Sequence, residues 1–159
     1  MKVAVKGLQE VEVAYFRRIG SYFELPEHWE KLFQWAIGNE LVPPTPQFIG
    51  ISFDNPALVE AQECRHDACV TIPVDFQKEQ HPEVSFKTLD GGSYEVYSFY
   101  DTADKLNPAY QFIYAEWLPA NMYEPDFTRH NLEFNLNNPA EDPEGRCKVD
   151  LFVPIKKCG

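Results

Sequence analysis

The sequence has few basic residues and no long apolar run, and each shortage argues against a class of protein. Lysine and arginine number 14 against 25 aspartate and glutamate, which gives a net charge of -11 at pH 7. No basic stripe could follow a phosphate backbone, so direct binding to nucleic acid is not expected. No segment is long enough to span a bilayer, and the N-terminus lacks the features of a signal peptide. The sequence therefore predicts a cytoplasmic protein that does not associate with membranes.

The short motifs that hold metals, nucleotides or catalytic triads are also missing. The four cysteines do not show Cys-x-x-Cys spacing. Gly91-Gly92 precedes a predicted strand and does not open a helix, so no phosphate-binding loop is indicated. No Gly-x-Ser-x-Gly elbow or Cys-His signature accompanies the four histidines. We therefore predict no metal, no cofactor and no triad hydrolase.

What the sequence does contain is one order of elements that occurs twice. Periodicity predicts a strand, a helix and two strands in the first half, at residues 10–19, 27–37, 47–53 and 67–74. It predicts the same order in the second half, at residues 93–100, 106–118, 131–136 and 149–155. Pro73 and Pro154 lie 81 positions apart in similar apolar surroundings, and Trp35 and Trp117 lie 82 apart. These spacings indicate an internal duplication.

The duplication predicts the architecture. We expect a single domain, residues 1–159, made of half-repeats of approximately 1–80 and 81–159. The fold class is α+β, with tandem duplicated β-α-β-β units, antiparallel sheets, helices on one face and a central ligand groove.

The segment from residue 130 to residue 138 holds the most informative charged residue. Leu132, Phe134 and Leu136 alternate there with polar residues, which is typical of a strand. Alternation predicts that Glu133 points away from the helix-covered face. If Glu133 lines a groove, its carboxylate could pair with a cationic ligand or act as a general base. If Glu133 lies on an open face of the sheet, its carboxylate would simply be solvated.

Aromatic residues supply candidate walls for such a groove through stacking and cation–π contacts. Tyr97 shares a face of its predicted strand with Glu95 and Phe99. The four aromatics that we predict to contact a ligand are Tyr22, Phe53, Tyr97 and Trp117. We expect most of the remaining aromatics to be ordinary core residues.

Several segments in this order resemble the GyrI-like small-molecule-binding family, which includes DNA gyrase inhibitory proteins and effector-binding domains of AraC-type and MerR-type regulators. The segments are LFQWAIGNELVP, SFDNP, CRHDACVTIPV, LDGGSYEVY, LEFNLNNPAED and VDLFVPI. The resemblance implies a tandem β-α-β-β fold around a groove. It also implies a groove glutamate in a motif like Pro-x-Phe-Glu-x-Tyr, matched here by Glu133. The chain departs from that motif at His130, Leu132 and Asn135.

The resemblance leaves three hypotheses for function. The first is a stand-alone protein that binds cationic or amphipathic small molecules, including xenobiotics, with Glu133 supplying the charge. The second is an interaction with DNA gyrase through the acidic surface. The third is a hydrolase of reactive xenobiotics in which Glu133 is catalytic. No helix-turn-helix precedes the first strand in this sequence, so we do not expect a transcription factor.

Overall fold

A computed structural model describes residues 3–20, 27–41, 46–54 and 58–158. The strands in these ranges are β1 (Val3–Leu8), β2 (Val11–Ile19), β3 (Phe48–Ser52), β4 (Arg65–Thr71), β5 (Ser85–Leu89), β6 (Gly92–Asp101), β7 (Tyr123–Pro125), β8 (Leu132–Asn135) and β9 (Cys147–Lys157). The helices are α1 (Glu27–Gly38), α2 (Leu106–Phe112) and α3 (Leu118–Ala120), with a π-helical turn, Ile113–Trp117, between the last two. Every strand pairing described below is antiparallel.

The chain forms two compact units. The middle unit is residues 10–90, and the terminal unit combines residues 1–9 with residues 91–159. The structure is an α+β fold, as predicted, and both units contain the predicted strand, helix, strand and strand in that order.

The middle unit is a four-stranded sheet in the order β5-β2-β4-β3. Helix α1 covers one face because Leu32 and Ala36, one turn apart, point towards the sheet. They pack on Ala14 of β2 and on Ala68 and Val70 of β4, all of which are fully buried. This contact is the core of the middle unit.

The terminal unit repeats the arrangement in the order β1-β6-β9-β8, and β7 pairs with a further stretch of β9. The helical segment from α2 to α3 covers one face. Ile113 and Leu118 pack there on Phe99 of β6 and on Leu151 and Val153 of β9. The observed helix agrees with the predicted range 106–118, but a π turn divides it.

Each sheet has an edge strand that the sequence analysis did not assign as a separate element. Strand β5 lies just before the second repeat yet pairs with β2 of the middle unit. Strand β1 lies just before the first repeat yet pairs with β6 of the terminal unit. The chain consequently passes from the terminal unit to the middle unit between residues 9 and 10, and returns between residues 90 and 91. The half-repeats predicted from the sequence, 1–80 and 81–159, place the second boundary earlier.

Two further observations apply to the described ranges alone. No helix in them is long and apolar enough to cross a membrane. Within the same ranges, no group of three or more His, Cys, Asp or Glu side chains is placed to hold a metal ion.

Candidate ligand-binding site

Glu133 lies on the helix-covered face of the terminal unit. In the β8–β9 pairing it stands directly opposite Leu151, and residues paired in this way project from the same face of a sheet. Leu151 belongs to the cluster packed under α2. The prediction that Glu133 points away from the helix is therefore wrong.

The physical reason is that the opposite face of β8 is buried as well. Leu132 and Phe134 are 3% and 5% exposed, and the Phe134 ring lies 4.6 Å from the ring of Phe152, centroid to centroid. Phe152 in turn contacts Tyr94, whose ring is covered by the guanidinium of Arg129. Apolar alternation identified the two faces of this strand correctly, but it could not tell which of them the helix covers.

Tyr110 of α2 is the hydrogen-bond partner of Glu133. Its hydroxyl donates to Oε2 of Glu133 at 2.6 Å. Burial raises the pKa of the Glu133 carboxyl, and the Tyr110 bond acts in the opposite direction. Burial and the nearby carboxylate raise the pKa of Tyr110 well above its usual value, so the phenol keeps its proton. Among the described residues, no lysine or arginine forms a salt bridge with Glu133.

A second tyrosine extends this site along the helix. Tyr114 lies in the π turn, and its ring is stacked on that of Tyr110 with centroids 6.5 Å apart. Asn131, just before β8, donates from Nδ2 to the Tyr114 hydroxyl at 2.8 Å. π turns are frequent at functional sites. Here the turn carries Tyr114, whose hydroxyl is bonded to the residue just before β8, the strand that carries Glu133. Tyr110, Tyr114 and Asn131 are not among the four aromatics and one glutamate predicted to contact a ligand, although the four-residue spacing of the tyrosines would place them on one side of a helix.

Glu95, in the middle of β6, is a second carboxyl on the helix-covered face. It stands opposite Val153 of β9 and Val5 of β1. The residue is completely buried, and neither carboxyl oxygen has a hydrogen-bond partner among the described residues. Burial raises the pKa of Glu95 to about 8, so the group is mostly a neutral acid at pH 7.

Tyr97 and Trp117 also lie on this side of the sheet. Tyr97 shares the face with Glu95, as predicted, and its ring meets Phe112 edge to face at 6.1 Å. A cavity of about 260 Å³ opens beside it, lined by Tyr97, Ser98, Phe99, Tyr100, Asp101, Lys105, Pro108, Ala109 and Phe112. Trp117 ends the π turn and stacks on Tyr123 at 6.0 Å. Glu133 is not part of this cavity lining, so the carboxylate lies beneath α2 and away from the opening.

Phe53 belongs to the middle unit and has charged neighbours. Its ring lies under Arg17 at 4.9 Å, Lys87 at 4.9 Å and Arg65 at 5.6 Å. Resident cations therefore already use the π faces that a cationic ligand would need. The role of Phe53 in ligand binding stays a prediction. Tyr22 lies outside the described residues.

Comparison with known proteins identifies the family to which this chain and its fold belong. The sequence model of the GyrI-like small molecule binding domain matches residues 1–156, and the chain belongs to that family. A DNA gyrase inhibitor of Citrobacter rodentium is 30% identical over 159 residues, which cover 98% of each chain. A DNA gyrase inhibitor of Escherichia coli K12 is 28% identical over 159 residues, again covering 98% of each chain.

Solved structures show the same fold at lower identity. The C-terminal domain of EcmrR superposes with a TM-score of 0.72 at 17% identity, covering 98% of this chain and 97% of that one. A hydrolase from Listeria innocua gives 0.71 at 12% identity, with coverage of 98% and 92%. SAV2435 bound to tetraphenylphosphonium gives 0.61 at 10% identity, with coverage of 98% and 94%. At these identities the likeness extends to the fold alone.

Proposed function

We propose that this chain binds an organic cation in its terminal unit, with Glu133 as the counter-ion. The observation that carries the proposal is a half-buried carboxylate that has a phenol as its hydrogen-bond partner and, among the described residues, no basic side chain paired to it. A partly buried carboxylate without a counter-charge is costly, because water solvates it less well than it does on an open surface. A cation placed beside it would remove that cost.

The surroundings of Glu133 suit a flat or aromatic cation. Tyr110 and Tyr114 present stacked rings, and a cation over such a face gains about 0.5–2 kcal/mol. Tyr97 and Trp117 remain our predicted walls on the same side of the sheet. Phe53 and Tyr22 also stay predicted ligand contacts. We place this binding in the cytoplasm, as the sequence analysis predicts.

Tetraphenylphosphonium is the first probe, since a protein of the same fold binds it. Isothermal titration calorimetry should show saturable binding to the wild type and at least tenfold weaker binding to Glu133→Gln. Glu144→Gln is the matched control because Glu144 is exposed, and it should bind like the wild type. Triphenylphosphine oxide, a neutral compound with similar rings, should bind wild type and Glu133→Gln equally weakly. Equal affinity of wild type and Glu133→Gln for the cation would refute the role of Glu133.

A hydrolase function is the second candidate, and one observation favours it. A half-buried carboxyl with a raised pKa next to a neutral phenol is suited to general base catalysis, with the phenol orienting the carboxylate. Incubation with a strained electrophile, such as an aryl epoxide, would show diol formation by wild type and none by Glu133→Gln. Stoichiometric binding of the epoxide without formation of the diol would exclude the hydrolase function and support binding only.

Gyrase is the candidate protein partner, because relatives that span nearly the whole chain carry the name DNA gyrase inhibitor. The net charge of -11 would favour a basic surface on that enzyme. A supercoiling assay with purified gyrase should show inhibition that weakens as salt is raised. Full supercoiling activity at saturating protein would exclude this partner.

A further inference from the structure

Glu95 and Glu133 lie on the same face of the terminal unit, on either side of β9. Glu95 stands opposite Val153 and Glu133 opposite Leu151. Adjacent strands are about 4.8 Å apart and each residue advances about 3.4 Å, so the two Cα atoms are separated by about 12 Å. Both carboxyl groups therefore face the helix, and Leu151 and Val153 of β9 lie between them.

The described side chains around Glu95 offer it no counter-charge. On β1, Val5 stands opposite it, whereas Lys6 pairs with Tyr94 and projects from the other face. The ionisable groups that face Glu95 from the helix and from β8 are the phenols of Tyr110 and Tyr114 and the carboxyl of Glu133. On the same face, Asp101 and Lys157 occupy the exposed outer parts of β6 and β9. None of the interior groups is a cation.

The middle unit shows how this fold neutralises a carboxylate at the matching position. If Pro73 is matched to Pro154, Ile72 corresponds to Val153. The backbone N–H of Ile72 donates to the carbonyl of Glu12 at 3.1 Å, so Glu12 occupies the register position of Glu95. Lys78 forms a salt bridge with the Glu12 carboxylate. The middle unit thus pairs a half-exposed carboxylate with its own lysine, whereas the buried Glu95 of the terminal unit has no cation beside it in the described ranges.

We propose that Glu95 is the second anionic subsite of the Glu133 site, which therefore takes ligands with two cationic groups about 12 Å apart. This inference rests on the proposed function. The cationic group that arrives at Glu95 displaces the carboxyl proton. The neutral acid becomes a carboxylate paired with the ligand, and the proton passes to solvent, so charge is conserved. Glu95 thereby selects dications over monocations.

The test compares octamethylene-bis(trimethylammonium) with octyltrimethylammonium, which has one cationic group on the same chain. Neither compound can itself lose a proton. Calorimetry at pH 7 in phosphate and in Tris, two buffers of different ionisation enthalpy, gives the number of protons released. For the wild type we expect the dication to bind about tenfold more tightly than the monocation and to release close to one proton. The ratio of dication affinity to monocation affinity should rise with pH up to about pH 8, because Glu95 then loses its proton without help from the ligand.

Glu95→Gln is the matched variant, since it keeps the shape of the side chain and cannot ionise. It should bind both compounds with the same affinity and release no proton on binding either of them. Glu95→Met is a second variant in case the buried amide disturbs folding, and the pH dependence of the wild-type ratio needs no variant at all.

The outcomes separate this inference from the proposed function. If the wild type binds both compounds equally and releases no proton, Glu95 is not a subsite and the role of Glu133 stands. A dication preference that survives in Glu95→Gln also overturns the inference. If the wild type binds neither these compounds nor tetraphenylphosphonium, the proposed function itself fails.

Discussion

The two units have the same order of elements but treat buried charge differently. In the middle unit, Asp67 is completely buried and is held by Arg17, at 2.7 and 3.0 Å, and by Lys87. In the terminal unit, Glu95 is equally buried and has no partner among the described residues. The middle unit is therefore internally neutralised, whereas the terminal unit carries acid groups that need a proton or a cation from outside.

The positions that match across the repeat sharpen this contrast. Phe48 of β3 stands opposite Val70, as Glu133 of β8 stands opposite the corresponding residue, Leu151. The place of the proposed counter-ion is thus held by a phenylalanine in the middle unit, where it packs edge to face on Phe33 of α1. The contact between Phe48 and Phe33 in the middle unit thus corresponds to the contact between Glu133 and Tyr110 in the terminal unit.

The largest expected effect concerns the pH dependence of stability in the terminal unit. Glu95 has a pKa of about 8 in the fold and its usual value near 4.5 when unfolded, so the folded state binds more protons between these pH values. The free energy of unfolding should therefore fall as pH rises from 5 to 8, by roughly 3–5 kcal/mol. Glu95→Met should remove this loss, as measured by urea unfolding from pH 5 to pH 9. Glu116→Met, at an exposed helix position, is the control, and a profile of the wild type that is flat above pH 5 would contradict the prediction.

The opposite pH dependence is expected from the middle unit. His28 of α1 and His66 of β4 share a hydrogen bond of 2.7 Å, and burial lowers the pKa of His66 to about 4. The unfolded state then binds more protons between pH 4 and pH 6.5, so stability should fall by about 2–3 kcal/mol as pH drops through that window. His66→Gln keeps a hydrogen-bonding group beside His28 and should be less sensitive to acid in the same urea experiment. A variant that loses as much stability as the wild type between pH 6.5 and pH 4 would argue against this assignment.

Removing the internal neutralisation of the middle unit should have an effect of similar size. Asp67→Asn leaves Arg17 and Lys87 without their carboxylate and should lower the free energy of unfolding by about 2–3 kcal/mol, because Asp67 is fully buried while Arg17 is 40% exposed. Glu12→Gln is the comparison, since its salt bridge to Lys78 is exposed and should be worth less than about 1 kcal/mol. Chemical denaturation at pH 7 measures both, and equal losses would mean that burial does not distinguish the two pairs.

The smallest effect should come from the phenol that orients Glu133. Tyr110→Phe removes the hydroxyl that donates to the carboxylate, which should raise the pKa of Glu133 further and weaken tetraphenylphosphonium binding by about fivefold. Tyr114→Phe is the matched control because the Tyr114 hydroxyl is engaged by Asn131. Calorimetry on both variants should show a loss for the first and little change for the second. Losses of the same size would show that the two rings, and not the hydrogen bond, position the ligand.

Most elements of the fold could be predicted from sequence because their periodicity is local. Helix α1 was predicted at residues 27–37 and is observed at Glu27–Gly38, where Leu32 and Ala36 define its buried side. Strand β5 was missed because it is short and carries Lys87, whose partner Asp67 lies on another strand. The pairing of β1 with β6 could not be predicted, since an edge strand contains no local signal for its distant partner.

The candidate site was predicted in part for the same reason. The alternation of β6 correctly placed Glu95, Tyr97 and Phe99 on one face. It could not show that Glu95 has no counter-charge, because that depends on three neighbouring elements. The orientation of Glu133 was predicted wrongly because Leu132 and Phe134, the apolar side chains of β8, are buried on the face that the helix does not cover. Tyr110 gains its importance from one contact across the helix–sheet interface, and that contact has no signature in the spacing of residues.

The exchanged edge strands have a consequence for biosynthesis. All strands of the middle unit lie within residues 10–90, so its sheet can close while the rest of the chain is still on the ribosome. The terminal unit cannot do the same, because its central strand β9 is the last strand to be made and β1 is the first. During synthesis β1 must wait as an unpaired strand next to a folded neighbour, where it is exposed to association with other chains. Since the partner of β1 is β6, we expect the nascent protein to be most exposed to aggregation through β1 in the interval before β6 emerges.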